Sequence, residues 1–400
     1  MKKVFKAEQI SPNVWWVGAT DWNVRNFHGY LTSRGSTYNA FLIIDEKVTL
    51  VDTVKAPFAD EMLARIASVI DPEKIDYIIS NHAEPDHSSA LPAAVAAIRP
   101  EKIFTSVAGA KTLTAYYGDL GYTPVKTGDS VELGQGKCTF VDTKMLHWPD
   151  SMVTYYDRDK VLFSQDAFGM HLAGSSLWAD QYDKSVLEQE VRKYFANILN
   201  LYSEKVLGLL DSLPGLNLDF QIIAPDHGPL WRQELEWIVE LYRNCALQLP
   251  RPKALVAFTT MWNSTKCCAE AFADGVRSKG VEVELADLQV CDRSDIATKA
   301  STAGSLAFGA PTMNNQVYPA MADVLNYIKG LRFRNKIAFA FGSCGWSGEG
   351  AKQISAVFEE MKLEQPLPLK QVKYMPTQNE LQEFFDAGVT LAEELLAKIN

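Results

Sequence analysis

Metal-ligating side chains follow four apolar segments in the first part of the chain, and this arrangement constrains the fold more than any other sequence feature. The segments are "IDYIIS", "FVDTKML", "KVLFSQD" and "FQIIAPD", and the side chains at their ends are His82, Glu84, Asp86, His87, His147, Asp166 and His227. Loops converge beyond the carboxyl ends of strands in α/β sheets, so functional groups collect there. The pattern therefore predicts that these strand ends share one site.

The densest stretch of ligands is "NHAEPDHSSA", residues 81–90. Because His82, Glu84 and Asp86 alternate, an extended loop would point all three the same way. The adjacent His87 would then point elsewhere, toward a second metal. One histidine alone would most simply be structural, and His171 is assigned that role; the joint pattern is specific enough to predict a dinuclear metal site.

The types of ligand restrict which metal such a site would hold. The sequence has six cysteines but no C-x-x-C pair, which excludes a zinc ribbon or a rubredoxin-type centre. The absence of thiolate ligands argues against a soft-metal site. The three strand-end histidines, His82, His147 and His227, with three carboxylates suit iron or manganese better than an all-histidine zinc pocket. The composition leaves zinc open as the main alternative.

The pattern of elements changes at "LQLPRPKAL", residues 247–255, where two prolines interrupt a helix. This segment is interpreted as a linker between a domain at 1–249 and a domain at 250–400. Before it, short strands with turn residues precede mixed strands and helices. After it, strands alternate with helices, which predicts a doubly wound parallel sheet.

Three polar loops follow successive strands of the second domain: "TTMWNSTK", "GAPTMNNQ" and "GSCGWSGEG". The first opens a helix and predicts a phosphate nest, but it lacks both the P-loop and the G-x-G-x-x-G motif. Glycines in the loops allow close approach to a planar ring, and two tryptophans offer flat surfaces. The candidate cofactor-binding residues are Thr260, Met261, Trp262, Asn263, Ser264, Thr265, Pro311, Thr312, Met313, Asn314, Asn315, Ser343, Cys344, Gly345, Trp346, Ser347 and Gly348.

The motif at residues 82–87 resembles the H-x-H-x-D-H signature of the metallo-β-lactamase fold, with Glu84 at the position of the second histidine. The three later loops resemble those of flavodoxin. Together the two halves resemble the flavodiiron proteins (A-type flavoproteins) over nearly the whole chain. The resemblance implies an N-terminal metallo-β-lactamase-like αββα domain followed by a flavodoxin-like domain.

This resemblance also implies cofactors and residue roles. His82, Glu84, His147 and Asp166 would hold one iron, and Asp86, His87, Asp166 and His227 the other. In the family the position of His87 is sometimes a ligand and sometimes turned away. FMN would bind in the three loops. His28 and Tyr194 would shape the substrate pocket. A turn histidine that stabilises the local backbone explains His28 equally well, and helical spacing alone suggests core packing for Tyr194.

The implied reaction is reduction of O₂ to water, of NO to N₂O, or both, with electrons passing from a redox partner through FMN to the diiron site. The resemblance implies a head-to-tail homodimer or a dimer of dimers. Rubredoxin is the expected donor, with a coenzyme F420 donor or a flavin reductase as alternatives. Docking to an acidic donor would require a local basic patch.

Two competing functions follow from the same residues. The first is a dinuclear zinc hydrolase with the flavodoxin-like half as a regulatory domain. The second is an electron-transfer protein with a vestigial metal site. Zinc in place of iron would favour the hydrolase, and slow, peroxide-producing flavin oxidation would favour the carrier.

The charge and the terminal segments bear on partners and location. A net charge of −10 argues against broad binding to nucleic acid. The N-terminus lacks an apolar stretch of signal-peptide length, and no run approaches a membrane span of roughly 18 residues. A cytoplasmic protein that binds no membrane is therefore expected.

Overall fold

The computed structural model describes residues 5–216 and 218–399. The chain packs into two compact units. The first contains the residues up to His28, Thr32–Tyr194 and Tyr202–Arg243, and the second contains Gly29–Leu31, Phe195–Leu201 and the residues from Asn244 onward. The last change between units falls inside a helix, close to the linker at 247–255. A domain boundary at 249/250 stays a prediction.

The strands are β1 (Glu8–Ser11), β2 (Val14–Trp16), β3 (Ala19–Asp21), β4 (Asn26–Phe27), β5 (Tyr30–Leu31), β6 (Ser36–Tyr38), β7 (Phe41–Ile43), β8 (Thr49–Val51), β9 (Tyr77–Ser80), β10 (Lys102–Ser106), β11 (Tyr122–Val125), β12 (Ser130–Glu132), β13 (Lys137–Asp142), β14 (Met152–Tyr156), β15 (Val161–Gln165), β16 (Ile222–Pro225), β17 (Lys253–Phe258), β18 (Glu282–Asp287), β19 (Ser305–Met313), β20 (Gln316–Val317), β21 (Ile337–Cys344) and β22 (Lys370–Lys373).

The helices are α1 (Ala59–Ala67), α2 (Pro85–Ser88), α3 (Leu91–Ile98), α4 (Val107–Tyr117), α5 (Lys184–Tyr194), α6 (Ser203–Ser212), α7 (Leu235–Leu247), α8 (Ser264–Arg277), α9 (Arg293–Thr302), α10 (Pro319–Leu331), α11 (Glu349–Glu360) and α12 (Gln378–Ile399). Within the described residues, no helix is both long enough and apolar enough to span a membrane.

The first unit contains a seven-stranded sheet, β1-β2-β7-β8-β9-β10-β11, and a five-stranded sheet, β12-β13-β14-β15-β16. The two sheets pack face to face: the rings of Phe41 and Phe163 lie 5.1 Å apart between their centroids, and those of Phe104 and Phe140 lie 5.8 Å apart. Helices α1, α3 and α4 cover the outer face of the larger sheet with apolar side chains. Because both faces are covered, β9 is buried along its whole length, which explains its continuous apolar sequence.

The second unit is built on the parallel sheet β18-β17-β19-β21-β22. One apolar cluster packs α9, α10 and α11 on one face, and another packs α8 and α12 on the other. The prediction of a doubly wound parallel sheet is confirmed. Chain order across the sheet is second, first, third, fourth, fifth, which is the flavodoxin-like order, and its switch point lies between β17 and β19.

A short segment from the middle of the chain is part of the second unit. The Nδ2 of Asn197 donates to Ser294 O (3.2 Å), and its Oδ1 accepts from the Tyr327 hydroxyl (2.8 Å). Asn200 Nδ2 donates to Leu331 O at 2.8 Å. The segment continues the helical backbone from α5 to α6, as a π-helical stretch (Phe195–Leu199) followed by a 3₁₀ turn (Asn200–Tyr202).

Directly before β21, the second unit buries a lysine. Lys336 is 2 % exposed, and its Nζ donates to the carbonyl of Ala303 at 2.5 Å. Burial lowers the pKa of Lys336 to about 7, and the charge of Arg251 adds to the effect. Folding of this unit therefore buries an amine in a site that disfavours its charged form, which costs stability at neutral pH.

Candidate metal centre and flavin pocket

The structure brings His82, Glu84, His147 and Asp166 into one group of potential ligands. His147 Nε2 lies 3.0 Å from Glu84 Oε2 and 2.9 Å from Asp166 Oδ2. His82 Nε2 lies 3.2 Å from Glu84 Oε2 and 3.5 Å from Asp166 Oδ2. Two imidazole nitrogens and two carboxylate oxygens thus converge on one point.

A second group contains Asp86, His87 and His227. Asp86 Oδ2 lies 3.2 Å from His87 Nε2 and 3.1 Å from His227 Nε2. The two Nε2 atoms are themselves 3.1 Å apart. His87 therefore directs its Nε2 toward the other members of the group.

Asp166 faces both groups. Its Oδ2 lies on the side of His147, and its Oδ1 lies 3.1 Å from His87 Nε2 and 3.6 Å from His227 Nε2. One carboxylate with an oxygen toward each group is the geometry of a bridge between two metals. The strand ends predicted to share a site do come together.

The expectation of an extended loop through residues 82–87 is wrong beyond Glu84. Pro85 begins the helical turn α2, because its fixed φ suits the first position of a helix. The turn places both Asp86 and His87 in the second group. Sequence alternation alone grouped Asp86 with His82 and Glu84, whereas the helical turn separates it from them.

His82 and His227 have partners of different kinds on the ring nitrogen that faces away from the groups. His82 Nδ1 lies 3.0 Å from Asp150 Oδ2, which also accepts from the backbone N–H of Ala83 at 2.6 Å. His227 Nδ1 lies 2.7 Å from the carbonyl oxygen of Thr37. Such contacts fix the tautomer and the ring orientation of a metal-binding histidine.

The carboxylates divide into two electrostatic classes. Burial opposes the ionisation of Asp166, but the charge of His87 and the contact with His147 hold the pKa of this carboxyl well below its usual range. Burial and the neighbouring Asp52 instead raise the pKa of Asp226 well above its usual range. The carboxylates that face the groups are therefore the ones that retain negative charge.

Buried carboxylate oxygens without hydrogen bonds indicate whether these residues fit metal ions. Both carboxylate oxygens of Asp86 and Oδ1 of Asp166 are buried with no hydrogen bond of acceptable geometry among residues 5–216 and 218–399. Buried charges persist when they are paired or bind metals. Carboxylate oxygens and imidazole nitrogens are ligand atoms that suit iron. Because the two groups supply both kinds of atom, the residues fit a dinuclear centre.

The two residues predicted to shape the pocket lie near these groups in different ways. His28 Nε2 is 2.6 Å from Glu84 Oε1, and 58 % of its side chain is exposed. Tyr194 is buried, and its ring packs against His171, with centroids 5.2 Å apart. His171 Nδ1 contacts Ser36 Oγ at 2.9 Å, consistent with its assigned structural role.

The flavin candidates surround a pocket of about 520 Å³ at the carboxyl ends of the strands in the second unit. This volume lies within the range typical of cofactor sites. The predicted residues that line it are Met261, Trp262, Ser264, Pro311, Thr312, Asn314, Asn315, Ser343, Cys344, Gly345, Trp346 and Ser347. The other five candidates, Thr260, Asn263, Thr265, Met313 and Gly348, belong to the same loops but are not among its lining residues.

The beginning of α8 suits a phosphate. Asn263, at the N-cap, has a φ of 67° and makes no side-chain capping bond in the described structure, so its side chain does not compete with a phosphate for the first N–H groups of the helix. The hydroxyl of Thr260 is buried with no hydrogen-bond partner in the part of the chain described. Behind the pocket, Thr265 Oγ1 and Ser343 Oγ lie 2.8 Å apart and join the first loop to the third. The loops thus fit a phosphorylated flavin.

Sequence reasoning missed residues around both sites. Tyr374 lines the flavin pocket from the loop after β22, and only its position beyond a fourth strand end could have indicated it. Asp150 contacts His82 but lies in an irregular segment with no motif. Gln165 contacts two ligand loops, and adjacency to Asp166 was its only signal.

Comparison with known proteins finds a matching family model for each half of the chain. Residues 37–228 match a family model described as "ODP family beta lactamase", and residues 256–388 match the flavodoxin model. The chain is 43% identical to a rubredoxin-oxygen oxidoreductase of Megalodesulfovibrio gigas, covering 96% of each, and 40% identical to a nitric oxide reductase of Moorella thermoacetica, covering 96% of this chain and 98% of the relative. A solved flavodiiron protein from Giardia intestinalis superposes with a TM-score of 0.95 at 34% identity, covering 100% of this chain and 99% of the other. The predicted fold class, a metallo-β-lactamase-like domain followed by a flavodoxin-like one, is confirmed.

Proposed function

The chain belongs to the flavodiiron protein family, and we propose that it reduces O₂ to water, NO to N₂O, or both. The observation that carries the proposal is one chain with two ligand groups sharing Asp166 and a flavin pocket built on a flavodoxin-like sheet. The comparisons do not favour the hydrolase. A vestigial metal site is opposed by the complete ligand set.

We assign one iron to His82, Glu84, His147 and Asp166, and the other to Asp86, His87, His227 and Asp166. FMN is assigned to the three loops around the pocket. When bound, the flavin and the irons supply the electron transfer that no side chain of this chain can provide. The assignment of His87 as a ligand is supported by its Nε2, which lies 3.1 Å from Asp166 Oδ1.

The residues of this chain hold the geometry and the charge of the centre. Asp150 and the carbonyl of Thr37 orient two of the histidines from behind. Glu84 sits where a hydrolase of this fold carries histidine, and its added negative charge favours a more oxidised metal state. His28 contacts the outer oxygen of Glu84, and we propose that it borders the substrate end of the site with Tyr194.

The electron donor and the assembly are also proposals. The relatives' names include rubredoxin-oxygen oxidoreductase and flavorubredoxin, which supports a rubredoxin-type donor over an F420 donor or a flavin reductase. Around the flavin pocket, Trp262 and Trp346 are 84% and 89% exposed. Exposed indoles of this kind are typical of surfaces that a partner covers. A second copy of the chain, in a head-to-tail homodimer, is the proposed occupant.

Metal analysis and gas turnover test the proposal together. The purified protein should contain iron and FMN, and the reduced protein, mixed anaerobically with O₂ or with NO in a stopped-flow instrument, should be reoxidised rapidly without releasing peroxide. Running both gases with one electron donor decides between the two substrates. Zinc in place of iron, or slow flavin oxidation that yields peroxide, would contradict the proposed function.

A further inference from the structure

Gln165, which no motif singles out, connects three of the loops that carry the proposed metal ligands. Its side-chain Nε2 donates to the carbonyl of Leu146, the residue before His147, at 2.6 Å. Its Oε1 accepts the backbone N–H of Asp166, also at 2.6 Å. Its own carbonyl accepts the N–H of Asp226, the residue before His227, at 2.8 Å.

The backbone at Gln165 is unusual in a way that serves these contacts. The residue has a φ of 48°, a left-handed conformation that a side chain disfavours. It also follows a register shift in the pairing of β15 with β16, between Phe163 and Gln165. A bulge next to a functional site bends the strand and redirects the side chains that follow. Here the next side chain is that of Asp166.

The side chain is fully buried, so water does not compete for its amide. A buried amide whose donor and acceptor are both used fixes the distance between the two backbone groups that it joins. The bond to the carbonyl of Leu146 fixes the backbone position of His147, and the bond from the N–H of Asp166 fixes the backbone position of Asp166. Both ligands belong to the first metal position, and Asp166 also serves the second.

We propose that Gln165 is a positioning residue of the metal centre, holding His147 and the bridging Asp166 in register with the loop of His227. The proposal rests on the assignment of these residues as metal ligands under the proposed function. Second-layer partners of metal ligands typically change affinity or activity by about 10-fold to 100-fold when they are removed. A loss of that size is expected when the amide is removed.

Two substitutions separate ligand placement from folding. Gln165→Gly removes the amide but suits the left-handed backbone, so the bulge and the contact with Asp226 can persist. Gln165→Met keeps most of the side-chain volume. The matched control is Gln248→Gly, because Gln248 is also buried at a φ of 49° but belongs to the second unit.

The measurement is a titration of the metal-free, FMN-loaded protein with Co²⁺, followed by its visible absorption bands. Both Gln165 variants should bind Co²⁺ about 10-fold to 100-fold more weakly than the wild type. The bands should change in shape, because the coordination geometry changes. Near-UV circular dichroism and FMN content should stay at the wild-type level, and Gln248→Gly should bind Co²⁺ normally.

Each outcome decides something different. Wild-type affinity and wild-type bands in both Gln165 variants would overturn the proposal. Loss of the near-UV signal in both metal-free variants would also overturn it, because the amide would then serve folding and not ligand placement. A wild-type protein that fails to bind two Co²⁺ ions per chain would instead contradict the proposed function.

Discussion

Lys336→Met tests the energetic cost of the buried amine in the second unit. The wild-type side chain has a pKa lowered from 10.5 to about 7, with burial as the largest cause. Between these two values the unfolded chain binds a proton that the folded chain does not. Stability of the wild type should therefore rise with pH through this window, from about pH 7 toward pH 10.5, and level off below pH 7.

The size of the effect follows from the shift. Each pH unit inside the window is worth about 1.4 kcal/mol, so the full difference approaches about 5 kcal/mol. Methionine has nearly the same length and no charge, and its variant lacks this pH dependence. Losing the bond to Ala303 leaves a buried carbonyl unpaired, which costs about 1–3 kcal/mol. At pH 7 the variant should be more stable than the wild type by about 1–3 kcal/mol, and the gain should disappear as the pH rises.

The assay is urea unfolding at fixed FMN concentration, followed by the fluorescence of released FMN between pH 7 and pH 9.5. Lys352→Met, at an exposed position of α11, is the control and should follow the wild type. The quantity to plot is the difference in unfolding free energy between Lys336→Met and the wild type. A difference that does not change with pH would refute the reasoning, whatever its sign.

Three further predictions concern the two sites. Asp166→Ala removes the carboxylate that both ligand groups share, so both metals should be lost while the flavin absorption spectrum is unchanged; full metal content in this variant would contradict the assigned bridge. Thr265→Val breaks the buried contact with Ser343 and should weaken FMN binding about fivefold, the effect of losing about 1 kcal/mol, as measured by fluorescence titration with Thr390→Val as control. Refilling the metal-free protein with zinc should leave its circular dichroism unchanged, abolish NO consumption at a gas electrode and leave only slow O₂ consumption that yields peroxide at the flavin, because zinc has no redox chemistry.

The ligands of the proposed metal centre could be predicted because the end of a buried strand has a recognisable sequence pattern. A continuous apolar segment followed by histidine or aspartate recurs before His82, Asp166 and His227, and the sheets bring these ends together. The flavin loops were predicted for the same reason, since the parallel sheet aligns the ends of β17, β19 and β21. In both sites, the change from apolar to polar residues marks where a strand ends.

What the sequence does not encode is conformation at single residues. The left-handed φ of Gln165 accompanies contacts with Leu146 and Asp226, which are far away in the chain. Asp150 reaches His82 across 68 residues of sequence, from a segment with no periodicity. Such residues are selected by the three-dimensional site around them, so no local pattern identifies them.

The chain enters and leaves the second unit more than once, and this has a consequence for how the protein can be divided. A cut at the predicted boundary leaves Gly29–Leu31 and Phe195–Leu201 on the N-terminal fragment, although both pack in the second unit. The C-terminal fragment would lose the partners that Asn197 and Asn200 provide to α9 and α10. Exchanging residues 250–400 alone between relatives would therefore leave the second unit without contacts that its own chain supplies. Recombination that preserves both units must also exchange the segments Gly29–Leu31 and Phe195–Leu201.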